Sequence, residues 1–91
     1  MNFGIAFPSY IRSWHDAKMA EDYGFSHAWF YDSQMLYSDV YASMALCAYH
    51  TRTLKLGTCV SILGNRIAPV TAHSIATINE LAPGRTILGV G

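Results

Sequence analysis

The chain has 91 residues, of which 52% are hydrophobic and 13% are charged, and its formal net charge is zero with neutral histidines. This length predicts one small domain or part of a larger one. Without a basic stripe, binding to nucleic acid or to an anionic membrane has no electrostatic support, and every apolar stretch is shorter than the ~18–20 residues of a membrane span. Because about 25% charged residues is ordinary for a free-standing domain, we expect part of this surface to be covered.

The cysteines and histidines exclude two classes of site. Cys47 and Cys59 form neither a disulfide framework nor a Cys-x-x-Cys pair, so we expect two reduced, buried thiols in a cytoplasmic protein. The start of the chain lacks the basic and long apolar segments of a signal peptide. No metal site is predicted, because the four histidines lack metal-ligand spacing: His15, His27, His50 and His73.

Four short, continuously apolar stretches predict strands at residues 3–7, 27–32, 54–62 and 86–90. Such runs are typical of parallel strands that are covered on both faces. Three helical patterns lie between them, so the order is strand-helix-strand throughout. This order predicts an α/β fold with a parallel sheet.

The helix boundaries follow from capping residues. Ser13 is expected to cap the first helix and Gly24 to end it in a left-handed conformation. The second helix is expected to begin at Ser38 or Asp39, to run to about His50 and, being apolar on nearly every side, to be buried on more than one face. The third has Pro69 in its first turn, ends at residues 82–84, and has a predicted inner face of Ala72, Ile75, Ala76, Ile78 and Leu81.

Two architectures fit this order: a doubly wound open sheet and the first half of a TIM-type (β/α)8 barrel. A nucleotide-binding open sheet would carry Gly-x-Gly-x-x-Gly after its first strand, where this chain has Pro8-Ser9-Tyr10, so the barrel is favoured. Four strands do not close a barrel. We therefore expect residues 1–91 to be an incomplete N-terminal part of a barrel domain. Such a part is expected either to be inactive on its own or to assemble with another half.

In a barrel the functional groups lie where the strands end. Those positions here hold mainly aromatic and small residues, which suit a flat, mostly uncharged ligand. Asp32 is either a proton-transfer or hydrogen-bonding group, or a cap of the loop that follows it. Arg66 either holds an anionic or carbonyl group, or forms a salt bridge or a helix-start contact.

Three stretches in order, FGIAFP, AEDYGFSHAWFYDS and LKLGTCVSILGNRIAPVTAHSIATINELAPGRTILGVG, cover nearly the whole chain. Together they resemble the luciferase-like flavin-dependent monooxygenase superfamily, in the branch related to methylenetetrahydromethanopterin reductase and other deazaflavin-dependent enzymes. The resemblance implies a barrel whose mouth binds FMN or the deazaflavin coenzyme, a small organic substrate, and hydride or oxygen transfer. Dimers are common in the family, so a homodimer is also implied.

The resemblance also assigns residues. In the family, strand three carries a non-proline cis peptide that lies against the flavin ring. The matching position in this chain is Cys59–Val60. Asp32 matches the family's acidic residue and Ser33 stands where several deazaflavin members have a proton-transferring histidine; both are the implied catalytic positions. Tyr10 and Arg66 are expected to contact substrate. The expected cofactor contacts are Ala6, Phe7, Asp32, Thr58, Cys59, Val60 and Gly91.

A second interpretation remains open at this point. The apolar second helix and the bare fourth strand also suit a non-catalytic half-barrel that binds a flavin, or associates with itself, without turnover. The coding sequence beyond Gly91 distinguishes the two interpretations. Four further strand-helix units would favour the oxidoreductase, and a stop codon would remove it for this chain.

Overall fold

The computed structural model describes residues 2–91, in which four strands alternate with three α-helices. The sheet is parallel throughout, and its strands follow the order β1-β2-β3-β4. Sequential order confirms the barrel-type α/β architecture, because a doubly wound sheet reverses its order at a switch point. The elements are β1 Gly4–Pro8, α1 Ser13–Asp22, β2 His27–Tyr31, α2 Val40–His50, β3 Lys55–Thr58, α3 Ala68–Leu81 and β4 Thr86–Ile87.

The sheet has a helix-facing side and an open side. Residues alternate between the two along each strand. On the helix-facing side Phe7 meets Phe30 edge to face at 5.0 Å between ring centroids, and Leu56 is fully buried. The residues of the opposite side, called here the open face, are Gly4, Ala6, Pro8, His27, Trp29, Tyr31, Lys55, Gly57 and Ile87.

Helix α2 lies between α1 and α3 and packs on the sheet. Its core side chains include Met44 and Cys47, both fully buried. This confirms that a helix apolar on most sides is buried on more than one face. Among the described residues, none of the helices combines the length and the apolar character that crossing a membrane requires.

Two of the predicted caps are confirmed and one is wrong. The carboxylate of Asp39 accepts the N–H of Ala42 at 2.8 Å, and Gly24 ends α1 with a φ of 91°. Ser13 does not cap α1, whose preceding residue makes no side-chain capping bond. The Ser13 hydroxyl instead accepts the N–H of Tyr10 at 3.0 Å and donates to the carbonyl of Pro8 at 3.2 Å, because it folds back onto the loop after β1.

The last two strands are shorter than predicted. β3 ends at Thr58 and β4 at Ile87, and beyond them only an isolated bridge joins Ser61 to Val90. The ladder stops there because the Thr58 side chain bonds with the polar backbone groups of Gly89.

The predicted inner face of α3 is only partly correct. Ile78 is buried and Ile75 is half-buried, but Ala72, Ala76 and Leu81 are exposed. The buried stripe passes instead through Thr71, because α3 meets α2 and β4 along a narrower strip than its apolar residues would cover.

A carboxylate joins α1 to the loop between α2 and β3. Oε2 of Glu21 accepts the N–H groups of three consecutive residues, Arg52, Thr53 and Leu54, at 2.9, 2.7 and 2.9 Å. Burial opposes ionisation of Glu21, but these bonds outweigh it and lower the pKa of the carboxyl group. This charged contact fixes the loop that leads into β3.

Candidate active site

The carboxyl ends of the parallel strands meet along one edge of the sheet, as in other barrel-type folds. The chain leaves the β3 ladder at this edge and forms a short segment, residues 59–62, called here the mouth segment. Its first N–H, from Cys59, donates to the carbonyl of Phe30 in β2 at 2.8 Å. The mouth segment therefore begins in contact with the neighbouring strand.

The peptide bond between Cys59 and Val60 is cis. This confirms the position that the family resemblance implied. Both side chains are exposed, Val60 to 41%. The expectation that Cys59 is buried is wrong, because β3 has already left the ladder at this residue; Cys47 is buried as expected.

Backbone bonds to the end of β4 hold the mouth segment on its other side. The N–H of Ser61 donates to the carbonyl of Gly89 at 2.7 Å, and the N–H of Gly91 donates to the carbonyl of Ser61 at 3.2 Å. A Cβ added to Gly91 would lie 2.8 Å from Cγ2 of Val60. Glycine at position 91 thus allows the backbone to approach the Val60 side chain closely.

Asp32 ties the same segment to β2. Its carboxylate accepts the N–H of Ile62 at 2.9 Å and binds the guanidinium of Arg66 through two bonds, at 2.7 and 3.0 Å. The side chains of Asp32 and Arg66 are only 3% and 11% exposed. This buried, bidentate pair favours the salt-bridge alternative for Arg66 and the hydrogen-bonding alternative for Asp32.

Two residues that the sequence did not single out complete this cluster. The hydroxyls of Tyr41 and Ser61 lie 2.7 Å apart, and the Arg66 guanidinium lies 4.9 Å from the centre of the Tyr41 ring. Arg66 also approaches Asp39 at 3.5 Å. Tyr41 belongs to a helix whose apolar pattern indicated core packing alone, so no sequence signal marked it.

The charges of the pair stabilise each other. Hydrogen bonding to Arg66 holds the pKa of Asp32 below its usual value, although burial acts in the opposite direction, and the Ile62 N–H contributes further. The same bond raises the pKa of Arg66. Asp32 is therefore a carboxylate at neutral pH with its oxygens already engaged.

The other predicted site residues are spread around this edge. Ala6 lies on the open face, whereas the side chains of Phe7 and Thr58 face the helices. Tyr10 is exposed and contacts the ring of Tyr37 at 5.3 Å. Ser33 is half-buried in the loop after β2.

On the open face below the mouth, the side chain of Trp29 lies over two glycines. A Cβ on Gly57 would lie 2.5 Å from Cζ3 of Trp29, and one on Gly4 would lie 2.8 Å from its Nε1. Both glycines leave room for the indole, which lies across the sheet between them. Gly57 inside an apolar strand is thus explained by packing against Trp29.

Among residues 2–91, no group of three histidine, cysteine, aspartate or glutamate side chains is placed to hold a metal ion. The mouth offers the exposed Cys59, the exposed apolar Val60 and two closely packed glycines, Gly89 and Gly91. These features fit a flat ring system better than a cation or a polyanion.

A sequential parallel sheet with its polar cluster at the carboxyl edge defines the class of barrel-type α/β proteins. Residues 9–91 match the family model of the luciferase-like monooxygenases, and the chain belongs to that family. It is 43% identical to a 5,10-methylenetetrahydromethanopterin reductase from Methanolobus tindarius and 38% identical to one from Archaeoglobus fulgidus, covering all of this chain each time. The chain spans 28% of the length of each of these relatives.

Solved structures agree with this family. A coenzyme F420-dependent tetrahydromethanopterin reductase from Methanopyrus kandleri superposes with a TM-score of 0.90 at 31% identity, over 99% of this chain and 26% of that one. A monooxygenase from Streptomyces bottropensis superposes with a TM-score of 0.86 at 23% identity, over 100% of this chain and 33% of that one. The second likeness supports the fold alone.

Proposed function

We propose that this chain contributes the mouth segment to a coenzyme site in an oxidoreductase, with the deazaflavin coenzyme as the first candidate and FMN as the second. The reductase relatives favour the deazaflavin, because the similar reductase from Methanopyrus kandleri depends on coenzyme F420, which is the deazaflavin coenzyme. We further propose hydride transfer to a small organic substrate such as a methylene-pterin, after the names of the relatives.

The observation that carries this proposal is the anchored mouth segment. Three of its four residues, Cys59, Val60 and Ile62, are exposed. They stand on a backbone that is bonded to β2 on one side and to the end of β4 on the other. A flat ring gains most from an apolar surface that is already fixed before binding, because little ordering entropy is then lost. The mouth segment has this property.

The residues divide into those that would touch the ring and those that would surround it. The backbone at Cys59 and the Val60 side chain would lie against the ring, and Val60 would exclude water from it. Ala6 and Gly91 would leave space at its edge, while Ser33 and Tyr10 would face the substrate. When bound, the deazaflavin supplies the hydride-transfer chemistry, and the protein supplies orientation and exclusion of solvent.

Binding is tested with the protein expressed from its complete coding sequence. The protein is titrated into the deazaflavin coenzyme and, separately, into FMN. We expect it to shift the absorbance spectrum of the deazaflavin. Val60→Asp, which places a charge against the ring, should weaken binding by ~10-fold or more. Val70→Asp is the matched control, because Val70 is similarly exposed, at 45%, but lies on α3.

Turnover is tested separately from binding. Anaerobic incubation with the reduced deazaflavin and methylenetetrahydromethanopterin should oxidise the coenzyme as the substrate is reduced. Binding without oxidation by this or other electrophilic substrates would favour the non-catalytic half-barrel. If the protein changes the absorbance spectrum of neither coenzyme, the proposal is overturned. Sedimentation of the same sample would test the predicted homodimer.

A further inference from the structure

Asp32 and Arg66 connect three parts of the mouth. Asp32 follows β2 directly, Arg66 precedes α3, and the two are 34 residues apart in the chain. Their two parallel hydrogen bonds, at 2.7 and 3.0 Å, form the bidentate geometry that fixes both side chains in orientation as well as distance. Asp32 is therefore a rigid point at the edge of the sheet.

The pair acts on the mouth segment at one backbone group. Oδ2 of Asp32, which binds Arg66, also accepts the N–H of Ile62 at 2.9 Å. One residue earlier, the hydroxyl of Ser61 is held by Tyr41, whose ring lies below the Arg66 guanidinium. The mouth segment thus rests on one connected set of side chains, called here the Asp32 cluster: Asp32, Arg66, Tyr41 and Ser61.

The surroundings of Asp32 do not suit a group that exchanges protons with substrate. Its side chain is 3% exposed, and both oxygens already accept hydrogen bonds from Arg66. General acid–base catalysis works best when the group titrates near the working pH, and the pKa of Asp32 is lowered away from that range. A fixed anion is better suited to holding a neighbouring N–H in place.

We propose that Asp32 is a positioning residue, which acts through the Ile62 N–H and Arg66 to hold the mouth segment in the shape that receives the coenzyme ring. This inference rests on the proposed function. It is an alternative to the proton-transfer role that the sequence left open for Asp32.

Three variants of the protein from its complete coding sequence test this role. Asp32→Asn keeps an acceptor for Ile62 but removes the charge, and Arg66→Lys keeps a charge but loses the two-bond geometry. Asp22→Asn is the matched control, because Asp22 is an exposed carboxylate paired with Lys18 at 2.8 Å on α1. If Asp32→Asn fails to fold, Arg66→Lys still tests the inference.

The first readout is hydrogen exchange of the amides of residues 59–62 without coenzyme. Exchange is expected to be faster in Asp32→Asn and Arg66→Lys than in the wild-type protein and in Asp22→Asn. Unchanged protection at Ile62 in both variants would overturn the inference. Because no coenzyme is present, this result is independent of the proposed function.

The second readout separates positioning from proton transfer. Both variants should weaken deazaflavin binding by ~10-fold or more, and the double variant should lose less than the product of the single losses, since both act through one pair. The pH profile of kcat should keep its wild-type shape in Asp32→Asn. Loss of a limb of that profile, with binding unchanged, would show that Asp32 transfers a proton; failure of the wild-type protein to bind either coenzyme would overturn the proposed function instead.

Discussion

The hydroxyl of Thr58 makes two hydrogen bonds with the backbone of Gly89: it donates to the carbonyl at 2.8 Å and accepts the N–H at 3.0 Å. β4 ends at Ile87, so a side chain here replaces the backbone ladder between β3 and β4. The same carbonyl also accepts the N–H of Ser61. Thr58 therefore keeps the two strands together up to the mouth.

Thr58→Val should lower the free energy of unfolding by about 1–3 kcal/mol, because it keeps the shape but leaves the N–H and carbonyl of Gly89 without this partner. Urea denaturation measures the loss. Thr58→Ser is the matched control, since it keeps the hydroxyl and removes only a methyl group. Equal stability of the valine variant and the wild-type protein would contradict the role given to the hydroxyl.

Gly89 itself has no room for a side chain. An added Cβ would collide with the carbonyl oxygen of Thr58, which belongs to the backbone and cannot rotate away. Gly89→Ala should therefore cost about 1–3 kcal/mol of unfolding free energy. Gly64→Ala is the control, because no atom lies within 4 Å of a Cβ at Gly64; a similar loss in both variants would show that the crowding at Gly89 is not the cause.

Much of the fold could be predicted from the sequence, because its signals are local. Short apolar runs gave the strands, Asp39 and Gly24 marked helix ends, and Pro69 marked a helix start. The first strand is not followed by a nucleotide-binding glycine loop, which favours the barrel over the doubly wound sheet. The barrel in turn predicts that the strands follow one another in sequence order. The strand ends at the mouth were predicted too long, because only the folded chain brings Thr58 to Gly89.

The site was predictable only as a set of positions. Asp32 and Arg66 were both placed at the mouth, but nothing in a sequence shows that side chains 34 residues apart form a pair. The apolar pattern of α2 predicts only core packing for Tyr41, and the residue type of Cys59 predicts a buried side chain. Each miss concerns a contact made by tertiary structure rather than by local preference.

The Asp32–Arg66 pair should make stability depend on pH. The pKa of Asp32 is lower in the folded protein than in the unfolded chain, where it is about 3.9. The pair's contribution is therefore full above that value and is lost as the pH falls through the folded pKa. Glu21, whose pKa is also lowered, contributes in the same direction.

Asp32→Asn isolates the share of this pH dependence that belongs to the pair. At about pH 7 the variant should be less stable than the wild-type protein by up to about 3–5 kcal/mol, and the difference should shrink as the pH falls below the unfolded-state value of about 3.9. Urea denaturation at several pH values measures it, and Asp22→Asn serves as the exposed control. A difference that stays constant with pH would show that charge on Asp32 is not the source of the stability.

The two cysteines should differ sharply in reactivity. Burial, with a smaller contribution from the charge of Asp16, raises the pKa of the Cys47 thiol to about 12, whereas Cys59 is exposed at the mouth. Since the thiolate is the reactive form, iodoacetamide at neutral pH should modify Cys59 in the folded protein and Cys47 only after unfolding, as peptide mass spectrometry would show. Saturating deazaflavin should slow modification of Cys59 if the ring lies against the mouth segment. Equal rates with and without the coenzyme, in a sample whose spectrum shows binding, would place the ring elsewhere.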